Sequence, residues 1–127
     1  MPEPHQQDSV AAIVGGTTGL GLSAASILVK SGWKVALLGR SPESLNAALS
    51  KLGDSSVGIA ADACDPEAAP KHMDKAVASF GRLNALYHVA GGSARGQGDG
   101  PLHELTDEGW QRALDHNLSS LVYSNRA

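Results

Sequence analysis

Val14-Gly15-Gly16-Thr17-Thr18-Gly19-Leu20-Gly21 follows an apolar run, Val10–Val14, and leads into residues with helical spacing. Glycines at 15, 19 and 21 between a strand and a helix make a turn whose backbone a ligand can approach closely. The N–H groups at the start of the helix, together with the positive end of its dipole, favour an anion there, a pyrophosphate above all. The spacing is not G-x-G-x-x-G, and no Lys-Ser/Thr pair follows the glycines, which excludes a P-loop nucleotide hydrolase. Taken alone, the turn also fits a strand-to-helix connection that binds nothing.

Further along, apolar runs and amphipathic stretches alternate. Lys34–Leu38, Ser56–Ala60 and Ala85–Val89 read as strands after Val10–Val14. Between them lie helical patterns with Leu20, Ala24, Ile27 and Leu28, then Leu45, Leu49 and Leu52, then Met73, Val77 and Phe80, stopped at Gly32, Gly53 and Gly81. Ser41-Pro42-Glu43 and Asp65-Pro66-Glu67 each read as a cap, a proline at the first helical position and an acid in the first turn. Gly91–Pro101 carries five glycines and is expected to be a mobile loop. A last helix starts at Leu102 or Thr106, with Trp110, Leu114, Leu118 and Leu121/Val122 along one side. The pattern β-α-β-α-β-α-β-α predicts an α/β fold: a three-layer, Rossmann-like parallel sheet of four strands in the order 3-2-1-4, with helices on both faces. Residues 1–9, polar with two prolines, read as a disordered lead-in, and 10–127 as one dinucleotide-binding domain.

Composition narrows the function classes. A net charge of −3 with scattered Lys and Arg gives no electrostatic case for nucleic acid or an anionic membrane. No apolar stretch reaches the roughly 18 residues of a membrane helix. One cysteine, Cys64, excludes an intrachain disulfide framework and fits a reducing, cytoplasmic compartment. It reads as a small buried filler, since no His or acid beside it in sequence makes it a nucleophile. The five histidines have no metal-ligand spacing, so no metal is expected. Arg95, in the glycine loop, reads as a solvated side chain before it reads as a contact for an anionic substrate.

Three more segments bear on the glycine turn: Ala61-Asp62-Ala63-Cys64-Asp65, His88-Val89-Ala90-Gly91, and Trp110-Gln111-Arg112-Ala113-Leu114-Asp115-His116-Asn117-Leu118. With them the chain resembles the N-terminal half of the short-chain dehydrogenase/reductase family over nearly its whole length. That family has T-G-x-x-x-G-x-G, where Val14 stands here for the threonine. It has N-N-A-G after the fourth strand, where His88 and Val89 replace both asparagines, and a W…N-L helix. The resemblance implies an NAD(P)(H)-binding oxidoreductase that moves hydride between nicotinamide and a carbonyl or alcohol. It implies cofactor contacts from Gly15, Thr17, Thr18, Gly19, Leu20 and Gly21, from Asp62 and Ala63 at the adenine, and from Ala90 and Gly91. His88, at the end of its strand, is expected to line the same crevice. Asn117 corresponds to the family's helix asparagine, which helps order a proton-relay water, and so is the one catalytic residue implied.

The end of strand 2 bears on the choice of cofactor. An acid there usually holds the ribose of NAD(H). Here Leu38-Gly39-Arg40-Ser41 offers a guanidinium fork and a hydroxyl instead, which suit a 2′-phosphate. NADP(H) is therefore favoured over NAD(H), and an S-adenosylmethionine site is disfavoured. A solvent-exposed arginine at a strand end is the plainer alternative.

The family's Ser and Y-x-x-x-K are not matched. Four residues after Tyr123 stands Ala127. The chain is therefore expected to be truncated and catalytically incomplete, leaving either the cofactor-binding portion of an oxidoreductase or a non-catalytic nucleotide-binding or interaction module. An uncovered strand 4 and last helix would then favour a homo-oligomer through either or both.

Overall fold

The computed structural model describes residues 8–127. Four parallel strands form its centre: β1 (Val10–Val14), β2 (Lys34–Gly39), β3 (Ser56–Ala60) and β4 (Ala85–His88), in the order β3-β2-β1-β4. This is the predicted topology. β1 is the hub, with Ile13 opposite Leu37 of β2 and Tyr87 of β4. The expected lead-in falls mostly on residues 1–7, outside the described residues; Ser9 is buried, and its carbonyl accepts from Lys34 N–H at 2.9 Å.

Alternation along the strands sorts the core into two layers, because successive side chains leave opposite faces of the sheet. Ile13, Val35 and Leu37 point to one face, where α1 (Gly19–Lys30) contributes Ala25 and α2 (Pro42–Leu52) contributes Leu45, Ala48 and Leu52. Val10, Ala36, Val14 and Leu38 point to the other face and meet Ala68 and Ala76 of α3 (Ala68–Phe80). Enclosing Ile13 and Leu37 completely is worth about 1.5–3 kcal/mol each, so the β1–β2 pair anchors the sheet.

The helix faces differ in places from the spacing. Leu20 and Ile27 are exposed, and α1 packs through Gly21, Leu22, Ala25, Leu28 and Val29. Val77 is exposed too, because Ala76 takes the inward position one residue earlier. The residues buried deepest at these contacts, Gly21, Ala25 and Ala76, are small, which lets the helices lie close to the sheet. Ser41 caps α2 as expected, its hydroxyl accepting from Ser44 N–H at 3.2 Å. Asp65 does not cap a helix beginning at Pro66. Its carboxylate accepts from Glu67 N–H at 2.9 Å in a turn, and α3 starts later, at Ala68.

The last helix begins where a hydroxyl can close its first turn: Thr106 accepts from Gly109 N–H at 3.0 Å and α4 runs over Asp107–Leu114. It continues through a π-helical turn, Asp115–Ser119, into α5 (Ser120–Arg126). The spacing carries no sign of that turn, which inserts an extra residue into the helical register. Trp110, Leu118, Leu121 and Val122 are exposed. Between β4 and α4, Ala94 is buried and the backbones of Arg95 and Asp99 form an isolated parallel β-bridge.

Candidate functional site

The glycine turn sits at the C-terminal end of β1, where strand order reverses between β2 and β4. Gly15 and Gly16 N–H both donate to Leu38 O, at 2.8 and 3.1 Å, so the turn is bolted to β2. Two glycines are required by space. A Cβ on Gly21 would collide with Gly15 O, and one on Gly15 (φ +83°) would lie 2.8 Å from Ala90 N. Gly19 is different: its φ is +51°, and a Cβ there would meet nothing within 4 Å. The turn is packed on its inner side and open on its outer side, at the first residue of α1. Thr18 precedes that helix in extended conformation with no side-chain cap bond, which leaves the leading N–H groups facing the opening.

A crevice of about 310 Å³ opens from this turn. The turn lines it through Gly15, Thr17, Thr18, Gly19 and Leu20. Arg40 from the end of β2, Asp62 and Ala63 after β3, and Ala90 and Gly91 after β4 complete it. Eleven of the twelve residues expected to hold a cofactor thus border one space or, for Gly21, shape the turn behind it. Ser41 is the remaining one. Its hydroxyl caps α2 and donates to Glu43 at 2.9 Å; the exposed Glu43 carboxyl is held below its ordinary range first by its own backbone N–H and then by this hydroxyl. Thr17 is buried with its side chain seated over Gly39, which explains why β2 ends in glycine.

The polar groups around the opening are mixed. Arg40 is exposed, its fork of donors at the rim. One carboxylate oxygen of Asp62 accepts from Cys64 N–H at 2.9 Å, fixing the loop while the residue still faces the crevice. Burial and the neighbouring Asp62 push the Cys64 thiol pKa up, so at neutral pH it is a protonated thiol.

His88 does not line the crevice. Leu86 and His88 share the sheet face covered by α3 and α5, and the His88 ring turns toward α5. Its Nδ1 is 2.9 Å from Ser124 Oγ and its Nε2 is 2.9 Å from Ala90 O. Burial lowers its pKa against that second bond. A strand's alternating faces decide this, because Val89, the next residue, is the one that reaches the opening.

Asn117 lies in the π turn and does not border the crevice. Its Oδ1 accepts from Gly92 N–H at 2.9 Å, and its Nδ2 donates to Gly92 O at 2.7 Å and to Ala113 O at 3.0 Å. It therefore acts on the segment after β4 that carries Ala90 and Gly91. His116, passed over in the sequence because it has no ligand spacing, does line the crevice. The signal for it is only its place beside Asn117.

Among the described residues no group of three or more His, Cys, Asp or Glu could hold a metal ion, and no helix is long and apolar enough to cross a membrane. The residues present suit a dinucleotide instead. They offer an open glycine cradle at a helix start, a guanidinium at the end of β2 and a carboxylate after β3.

Known proteins share this fold. The chain is 36% identical over 110 residues to serine 3-dehydrogenase of Rhizobium radiobacter, covering 87% of this chain and 43% of that protein. An actinorhodin polyketide ketoreductase solved with NADPH superposes with a TM-score of 0.84 at 27% identity, over 95% of this chain and 46% of that one. A 3-ketoacyl-(acyl-carrier-protein) reductase of Brucella melitensis, solved with NADH, has the same fold, with a TM-score of 0.84 at 21% identity over 94% and 48% of the two chains. The chain thus spans less than half the length of each of these proteins. The sequence model of the family described as short chain dehydrogenase matches residues 9–127, nearly all of the sequence. The chain belongs to the short chain dehydrogenase family.

Proposed function

We propose that this chain is the NADP(H)-binding portion of a short chain oxidoreductase. The observation that carries the reading is the open outer side of Gly19, set against a turn that tolerates no added atom at Gly15 or Gly21. In this reading the pyrophosphate takes the N–H groups at the start of α1. The ribose and adenine extend toward Arg40, Asp62 and Ala63, and the Ala90–Gly91 backbone bounds the nicotinamide half. Arg40 favours NADP(H) over NAD(H), since a fork of donors with no acid beside it at the end of β2 rewards a 2′-phosphate. Relatives solved with NADPH and with NADH are compatible with either dinucleotide.

Bound nicotinamide supplies or accepts hydride in the family. The part these residues play is to bind and orient it. Asn117 is a positioning residue, because it fixes Gly92 and with it the wall of the crevice. The chain's two tyrosines are followed four residues on by Gly91 and Ala127, so no Tyr-x-x-x-Lys pair stands within it to protonate a carbonyl oxygen. Dinucleotide binding without turnover is accordingly the behaviour proposed for these 127 residues by themselves. NADPH fluorescence should change saturably on addition of the chain, with no oxidation when a carbonyl compound such as a 3-ketoacyl ester is added. A flat fluorescence titration would overturn the binding reading, and sustained NADPH oxidation would overturn the second part.

A self-associating form is favoured by the exposed side chains of Trp110, Leu118 and Val122, together with β4 at the edge of the sheet. A monomeric mass by light scattering at micromolar concentration would contradict it. A cytoplasmic setting accords with the single, protonated cysteine.

A further inference from the structure

The crevice does not end at Asp62. A second recess of about 380 Å³ continues from it and shares Arg40, Asp62 and His116 with it. His116 stands between the two spaces. Its Nδ1 is 3.9 Å from Cys64 Sγ on the loop after β3. The opposite edge of the ring faces the segment after β4, with Nε2 3.6 Å from where a Cβ on Gly92 would be. The imidazole therefore spans the gap between the two loops that close the far end of the crevice. The π turn brings it there: Asn117, the next residue, ties this part of the helix to Gly92, and Ser120 Oγ donates to His116 O at 2.8 Å. Among the residues lining the main crevice, His116 has the only aromatic ring; the others are glycines, aliphatic or hydroxyl side chains, one arginine and one aspartate.

A flat ring that lines the same two spaces as a carboxylate is the chemistry that receives a purine base: the ring offers a stacking face and the carboxylate an acceptor for an exocyclic amine. Resting on the dinucleotide reading above, we propose that His116 is the base-recognition residue of this site, stacking on the adenine while Asp62 meets its edge. Selection at the base end then lies in the π turn as well as in the loop after β3. The same turn thus serves the crevice twice, through Asn117 on the backbone and through His116 on the ligand.

Adenosine 2′,5′-bisphosphate, which has the base and phosphates but no nicotinamide, tests this by calorimetry on the wild-type chain, His116→Ala and His116→Phe. Inorganic pyrophosphate, followed by the Gly19 and Gly21 amide shifts, serves as a base-free control. The wild type should bind the bisphosphate, His116→Ala about tenfold more weakly, the loss of one stacking partner, and His116→Phe within about threefold of wild type. The pyrophosphate response should be the same in all three. Equal bisphosphate binding by wild type and His116→Ala overturns the role of His116 and leaves the dinucleotide reading standing. A parallel loss of the pyrophosphate response also overturns it, since the substitution would then be acting on the fold. A wild type that binds neither probe overturns the dinucleotide reading itself, and this inference with it.

Discussion

Asn117 and Gly92 exchange two hydrogen bonds: Gly92 N–H donates to Asn117 Oδ1 at 2.9 Å, and Asn117 Nδ2 donates to Gly92 O at 2.7 Å. One side chain satisfies both backbone groups of a residue in a glycine-rich connection that no sheet partner holds. Through this pair the helix after the loop sets the position of the crevice wall before it. Asn117→Ala removes both bonds and should lower stability by about 1 kcal/mol, because the pair is exposed to water. The larger effect should fall on NADPH affinity, and a hydrogen-exchange measurement should show the Gly91 and Gly92 amides opening faster. Unchanged exchange at both amides would contradict the clamp.

Gly91 answers to the same side chain. A Cβ there would lie 2.7 Å from Asn117 Oδ1, so Gly91→Ala must push the amide away from Gly92. It should reproduce the affinity loss of Asn117→Ala, and the double variant should be no worse than either single one. Additive losses measured in the double-mutant cycle would show that the two positions act separately.

The glycines of the turn separate into structural and binding roles. Gly21→Ala drives a methyl into Gly15 O and should cost about 1–3 kcal/mol, read as a lower urea midpoint. Gly19→Ala has room for its methyl and loses only about 1–2 kcal/mol to its left-handed backbone. Its methyl enters the space proposed for the phosphates, so its NADPH affinity should fall further than its stability does. The reverse ranking of the two variants would contradict the placement of the phosphates.

His72 should make the chain sensitive to acid. It is fully buried, with Nε2 2.9 Å from Ala36 O and no partner for Nδ1 among the described residues. Burial lowers its pKa below the ordinary 6.5, so the folded chain holds it neutral. In the unfolded chain it takes up a proton near pH 6.5, and between the two pKa values the unfolded state binds more protons. Its contribution is complete above the unfolded value and is lost as pH falls toward the folded one. His88, whose pKa is lowered in the same way, adds in the same direction. Urea midpoints between pH 7.5 and pH 5 should therefore drop with acid, and less steeply in His72→Leu. The same slope in both proteins would remove His72 from the account.

Much of this was legible in the residues. Strand order follows from alternating elements and right-handed crossovers, and β1 and β3 have the bounds their apolar runs imply. The crevice was legible for a related reason: the ends of β1, β2, β3 and β4 converge wherever strand order reverses, so residues just past those ends meet. What spacing did not show was rotation. Ala76 and not Val77 faces the sheet, and Leu20 faces solvent at the crevice, because close packing on a parallel sheet selects small residues over large ones. His88 pointed the wrong way because one residue's shift along a strand exchanges faces. The π turn had no sequence signature at all: Asn117 within it bonds a glycine 25 residues away, a pairing that local spacing does not show, and His116 stands beside it.

Calorimetric titration of the chain and of Arg40→Ala with NADPH and with NADH tests the central claim most directly. Saturable NADPH binding, tighter than NADH binding and weakened by about ten- to a hundredfold in Arg40→Ala with NADH affinity unchanged, is the predicted result, since a charge-assisted contact to phosphate is worth about 1.5–3 kcal/mol. Equal binding of both cofactors, indifferent to Arg40, would contradict the NADP(H) assignment. Binding of neither would contradict the account of the crevice as a dinucleotide site.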